Sequence, residues 1–119
     1  PAMGAMPLSE PVEMRLPLRW TALLAKRVKA DLAFSTGVHA GEDAAKALLA
    51  GAQVVQVCSA LLRHGIPHLT VMNEQLKDWM RAHGHRTVGQ FRGALSGAEI
   101  KDLLAYERAQ YVKSIGGSR

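Results

Sequence analysis

Two short apolar runs separated by one helix-length segment constrain this chain more than any other feature. Ala30-Asp31-Leu32-Ala33-Phe34-Ser35-Thr36-Gly37-Val38 reads as a strand that ends in a turn, and Gln53-Val54-Val55-Gln56-Val57-Cys58-Ser59-Ala60 repeats the plan. The strands are expected over residues 31–35 and 53–57. Both are nearly continuous in apolar character, as parallel strands covered on two faces require, and the second is rich in β-branched valine. Between them, residues 42–50 read as a helix, with Glu42 and Asp43 in its first turn and Gly51 just past its end. Strand, crossover helix and parallel strand make this an α/β chain.

Both strands run into small polar residues. Gly37 has no Cβ, so the backbone there can approach an anion closely. Ser59 and Ala60 follow the second strand. A short helix starting there would aim free N–H groups and its positive end at the same spot, and the Ser59 hydroxyl adds one more hydrogen bond. Adjacent parallel strands lie about 5 Å apart, which sets the two loops side by side. In barrels of parallel strands, phosphate sites often lie in the loops after strands seven and eight. The alternative is two ordinary turns with a glycine for geometry.

The rest of the chain reads as helices and connections. Residues 1–6, Pro-Ala-Met-Gly-Ala-Met, resemble a cloning and protease scar, with neither the basic start nor the apolar centre of a signal peptide. Residues 7–17 hold Pro7, Pro11 and Pro17 and read as an extended lead-in. Trp20, Leu23, Leu24 and Val28 recur at helical spacing over residues 18–28, with Lys26, Arg27 and Lys29 at the C-terminal end. A helical turn is expected over 58–63, stopped by Gly65. A long helix is expected over 67–83, with Leu69, Met72, Leu76, Trp79 and Met80 as its apolar stripe and Gly84 after it. Thr87 caps a short helix over 87–92. Ser96 and Glu99 have capping-box spacing and open a last helix through Ile100, Leu103, Leu104 and Tyr106, before a frayed end over 116–119.

At 119 residues the chain is one small domain or part of a larger one, since a complete eight-stranded barrel needs about 250 residues. The apolar share of 48% excludes wholesale disorder. The net charge of +5 comes from scattered clusters, Arg15, Arg19, Lys26, Arg27 and Lys29 in one and Arg81, Arg86 and Arg92 in another. They read as solvated helix faces, and without interleaved aromatics nucleic-acid binding is not expected. The single cysteine, Cys58, rules out an internal disulfide, fits a reducing cytosol, and reads as a small buried residue. No run of about 20 apolar residues suggests a membrane span. Five histidines, His39, His64, His68, His83 and His85, lack the spacings of a metal motif, and no metal is expected. His39 follows the first turn and is read as a surface residue with a possible view of the ligand. Trp20 and Trp79 read as core. No acid–base pair and no catalytic residue can be assigned.

Several stretches together resemble the C-terminal part of dihydroorotate dehydrogenase-like proteins: Glu13-Met14-Arg15-Leu16-Pro17-Leu18-Arg19-Trp20, Ser35-Thr36-Gly37-Val38, Leu49-Ala50-Gly51-Ala52, Val55-Gln56-Val57-Cys58-Ser59-Ala60-Leu61, and the tail from Tyr106 to Lys113. The resemblance runs from about Leu8 to Gly117. It implies a flavin mononucleotide (FMN) oxidoreductase of pyrimidine metabolism with a parallel (β/α)8 TIM barrel, in which residues 31–35 and 53–57 are strands seven and eight. It also implies that backbone groups after these strands hold the FMN phosphate. Carried over by position, these are Thr36, Gly37 and Val38 with Ser59 and Ala60. Two departures stand out. Many members have a double glycine where Thr36-Gly37 stands, and often a glycine-threonine pair where Cys58-Ser59 stands. The strands that carry the family's catalytic base, flavin-side lysine and pyrimidine-gripping asparagines have no counterpart in this chain. The expectation is therefore residues 18–117 as the last quarter to third of a cytoplasmic barrel. Alone, such a piece would pair with further barrel segments, self-associate as a homo-oligomer or rearrange, with no turnover of its own.

Overall fold

The computed structural model describes residues 7–97 and Arg108. The expected scar over 1–6, Glu99 of the last capping box, that helix through Tyr106 and the tail to Lys113, Arg108 apart, lie outside the described residues.

The order is a 3-10 turn (Pro11–Met14), α1 (Arg15–Leu24), β1 (Ala33–Phe34), α2 (Gly41–Ala50), β2 (Val54–Val55), α3 (Ser59–His64), α4 (His68–Ala82) and a second 3-10 turn (Val88–Gln90). β1 and β2 are parallel neighbours, with Ala33 opposite Val54 and Phe34 opposite Val55. The expected β–α–β unit is thus present. Its regular ladder is two residues long rather than five, because among the described residues neither strand has a second neighbour. The pairing does reach beyond those residues: Gln53 N–H donates to Leu32 O at 2.9 Å and Gln56 N–H to Phe34 O at 2.8 Å.

The lead-in is partly helical. Pro11 opens the 3-10 turn and Pro17 sits in the first turn of α1, where a missing N–H costs nothing, so α1 begins at Arg15 rather than Leu18. It also ends sooner, at Leu24. Its buried face is Ala22 with half-buried Leu18, and not the stripe through Trp20, which is 54% exposed.

α2 is the centre of the packing. Its Ala45 and Ala47 have no exposed surface, and such small side chains let neighbouring helices come close. At Gly41 the approach is backbone to backbone: a Cβ there would lie 2.6 Å from Gln75 Cβ, and nearer still to Met72 O and Leu76 N of α4. The helix closes as expected at Gly51, φ 116°. Ala52 N–H donates to Ala47 O at 3.1 Å and Gly51 N–H to Leu48 O at 3.0 Å, a Schellman closure. Residues 93–97 complete it, since Gly93 N–H reaches Leu48 O and Leu95 N–H reaches Leu49 O, each at 2.9 Å. The main core gathers Met14, Phe34, Val38, Ala47, Ala52, Ala60 and Met72 around the strand ends, with half-buried Leu18 of α1 and Val55 of β2 packed against it.

Candidate functional site

Phe34 closes β1 with its ring in the core. The chain then leaves through Ser35 and makes two successive left-handed residues, Thr36 at φ 81° and Gly37 at φ 75°. For a β-branched residue this region is strongly disfavoured, because Cβ crowds its own carbonyl. The double turn returns the chain so that Val38 is buried and pins the loop to the core. On the neighbouring strand, Gln56 and Cys58 lead into α3, which Ser59 opens. The two loops face each other across a cleft of about 240 Å³, lined by Thr36, Gly37 and Val38 on one side and Cys58 and Ser59 on the other. Four of the five expected site residues therefore meet. Ala60 does not line the cleft; its side chain is fully buried in the core, leaving only its backbone N–H for a role there.

The third wall is one the sequence reading missed. Pro7 and Ser9 lie over the cleft, and Ser9 is hydrogen-bonded to both loops. Ser9 N–H donates to Ser59 Oγ at 2.8 Å and the Ser9 hydroxyl donates to the same atom at 3.0 Å. Gly37 N–H donates to Ser9 Oγ at 3.1 Å. Ser9 O lies 2.7 Å from His39 Nε2. Next to it, Glu10 pairs with Arg63 of α3 at 2.5 Å. That guanidinium's hydrogen bond, and then its charge, hold the Glu10 carboxyl below the usual carboxylate range, and the same hydrogen bond raises Arg63. No local pattern points to these contacts, because Ser9 and Ser59 are 50 residues apart.

Gly37 is fitted to this wall. A Cβ on it would lie 2.7 Å from Met14 Cγ, 2.8 Å from Met14 N and 3.0 Å from Glu10 O. The cleft is thus a small polar concavity in which one oxygen atom, Ser9 Oγ, accepts the Gly37 N–H and passes its own proton to Ser59 Oγ. A backbone N–H aimed into such a concavity is the kind of donor that anion sites use.

Other expectations resolve differently. Cys58 is exposed, not buried, because it follows β2 at the cleft wall where its side chain faces out of the core. Trp79 is a half-buried platform rather than core: it stacks on His83 with ring centres 4.2 Å apart and meets Phe91 at 5.0 Å. His64 and His68 come together, 4.7 Å between rings, by ending α3 and starting α4. Among the described residues no three potential ligands gather to hold a metal ion, and no helix is long and apolar enough to cross a membrane. Asp43 is structural, its carboxylate accepting the N–H groups of His39 and Ala40 at 3.0 Å to cap α2.

About half of the chain is similar to curated dehydrogenases, at their C-terminal region. Over 57 residues, 48% of this chain, it is 42% identical to dihydropyrimidine dehydrogenase (NADP(+)) of Arabidopsis thaliana, covering 13% of that protein. It is 37% identical over 60 residues to dihydroorotate dehydrogenase (fumarate) of Saccharomyces cerevisiae, half of this chain and 19% of that one. With the Trypanosoma cruzi enzyme of the same name identity is 41% over 63 residues, 53% of this chain and 20% of that one. Each match covers a fifth or less of the relative's length. No protein-family model matches the chain. The likeness is to the family that the sequence resembles, over a shorter stretch than the motifs suggest.

Proposed function

We propose that this chain is the phosphate-holding C-terminal part of an FMN-dependent oxidoreductase resembling dihydroorotate dehydrogenase, with β1 and β2 as strands seven and eight of its barrel. Thr36, Gly37, Val38, Ser59 and Ala60 would hold the FMN phosphate through backbone N–H groups and the Ser59 hydroxyl. The observation that carries this is an oxygen already in place. Ser9 Oγ accepts the Gly37 N–H at 3.1 Å and donates to Ser59 Oγ at 3.0 Å, so an oxygen atom fits between the Gly37 amide and a hydroxyl that can turn to donate. The relatives' names supply the reaction class. Bound FMN supplies the hydride-accepting ring. The chain's own residues anchor and orient it: Gly37 gives close backbone approach, Val38 fixes the loop and Ser59 offers a hydroxyl. No catalytic residue is assigned, and no turnover is expected of these residues alone.

The test is a titration with FMN, followed by flavin fluorescence, for the chain and for Ser59→Ala, with circular dichroism to show that each is folded. Saturable binding that Ser59→Ala weakens about three- to tenfold, the worth of one hydrogen bond, supports the reading. A folded chain that does not bind FMN, or binds it equally well without the Ser59 hydroxyl, refutes it.

A second reading concerns assembly and is favoured by α1. Leu16, Trp20 and Leu24, each four residues apart, are 61%, 54% and 37% exposed. They form a second apolar stripe on a helix whose buried face is already used, and Trp20 and Leu24 border β1, which among the described residues has no strand on its other edge. Such an edge invites a further strand, from other barrel segments or from a second copy. Sedimentation over a range of concentrations tests it; a monomer throughout counts against self-association.

A further inference from the structure

Ser9 occupies the Gly37 N–H and the Ser59 hydroxyl oxygen, the two groups that a phosphate would use, which makes it a competitor and not only a wall. We propose that residues 7–10 are an internal occupant of the cradle, with the Ser9 hydroxyl in the place of a ligand oxygen, and that an anion enters only when this strap lifts. The inference rests on the phosphate reading above and gives that site a gate.

The strap is held by hydrogen bonds, not by burial. Pro7 and Glu10 are exposed and Leu8 and Ser9 half-buried, whereas Met14, four residues beyond Glu10, is 4% exposed in the core. Lifting residues 7–10 therefore uncovers little apolar surface. It breaks the contacts of Ser9 to Gly37, His39 and Ser59 and loosens the exposed Glu10–Arg63 pair. The buried Met14 and the 3-10 turn that begins at Pro11 mark where the moving part ends.

Competition follows from the donor count. The Ser9 hydroxyl takes the Gly37 N–H as acceptor, and its own proton goes to Ser59 Oγ. An incoming phosphate oxygen needs that N–H and the Ser59 hydroxyl turned to donate. Both cannot hold with Ser9 seated, so the measured affinity is the intrinsic one reduced by the fraction of open strap. Ser9→Ala removes the competing hydroxyl and leaves the Ser9 backbone bonds, the charge and the fold in place. It should tighten anion binding about three- to tenfold.

The experiment uses the full chain, wild type and Ser9→Ala, with Ser9→Gly as a second form of the same deletion. Two quantities are read: the hydrogen-exchange protection of the Gly37 amide without ligand, and the affinities for FMN and for inorganic phosphate. Faster Gly37 exchange together with tighter binding supports the gate. Unchanged Gly37 protection in both variants overturns it, whatever the binding does, because Ser9 then does not cover that amide. Faster exchange with weaker binding also overturns it and makes Ser9 a ligand of the anion. Faster exchange with no binding of either probe by any form means that the phosphate reading has failed, and the strap is then a structural contact only. Tightening for FMN alone assigns the cradle to a phosphate carried by a flavin, and tightening for both assigns it to phosphate as such; either supports the gate.

Discussion

Thr36→Gly should stabilise this protein, against the general rule that glycine weakens a fold. Thr36 stands at φ 81°, directly before Gly37 at φ 75°. A residue with a Cβ loses about 1–2 kcal/mol in that region. Its hydroxyl makes no hydrogen bond to any described residue, and its side chain is half-buried at the cleft, so the substitution removes little packing. Glycine takes back about 0.4–1 kcal/mol through the freedom it gains in the unfolded chain. The difference is a gain of about 0.5–1 kcal/mol, or an increase in Tm of about 2–5 °C for a chain of this size. Thermal unfolding by circular dichroism measures it, with Thr36→Ala as the control. Alanine keeps the Cβ and so keeps most of the strain; its Tm should stay near that of the parent. A lower Tm for Thr36→Gly would refute the assignment of strain to this residue. An equal gain for alanine would move the cause from φ to the β-branch. FMN affinity should hold within about twofold, since the backbone donors are unchanged.

Three further outcomes follow from other parts of the structure. Gly41→Ala forces a Cβ onto the backbone of α4 at Met72 and Leu76, where no side chain can move aside; we expect a loss of about 2–3 kcal/mol, read from the midpoint of urea unfolding. The Glu10 carboxyl is lowered mainly by the hydrogen bond from Arg63 and next by its charge. A depressed carboxylate contributes above its ordinary value and loses that contribution as pH falls through its folded value. The Gly37 protection factor should therefore drop on acidification through that range. Glu10→Gln should remove this pH dependence, and salt should weaken the latch because the pair is exposed. Trp20→Glu, on the open stripe of α1, should shift any concentration-dependent sedimentation toward the monomer while leaving Tm nearly unchanged; an unchanged assembly would place the contact elsewhere.

The parts of this fold that sequence conveys are those set by neighbours in the chain. Gly51 marks a helix end because only glycine is easy at φ 116°, and the β–α–β order follows from two apolar runs at crossover distance. Pro11 and Pro17 illustrate the limit: three prolines suggest an extended chain, yet proline at a first turn is also a helix start, and only the packing of Met14 against Phe34 and Val38 decides between them. The stripe on α1 fails in another way. Periodicity identifies Trp20 and Leu24 as one face without saying whether anything covers it, and here the small Ala22 takes the buried side against α2.

The same distinction explains the site. Thr36, Gly37, Val38 and Ser59 are legible because each lies in the short segment after a strand, and adjacent parallel strands must bring their loops together. Ser9 is illegible because it reaches the cleft from 28 residues before Gly37 and 50 before Ser59, with no periodicity to tie it there. Thr36 joins the two levels. Resemblance marks it as a departure from a double glycine, and the structure supplies the reason for the glycine in a second consecutive left-handed residue. Strain held at a loop that faces a polar cleft must be offset by contacts around it. Here those contacts are the burial of Val38 on one side and the Ser9 bridge on the other. If the bridge helps to hold Thr36 in place, Ser9→Ala and Thr36→Gly should not be independent. The glycine variant should lose less stability than the parent when Ser9 is removed, and a double-mutant cycle that closes to within about 0.3 kcal/mol would separate the two loops.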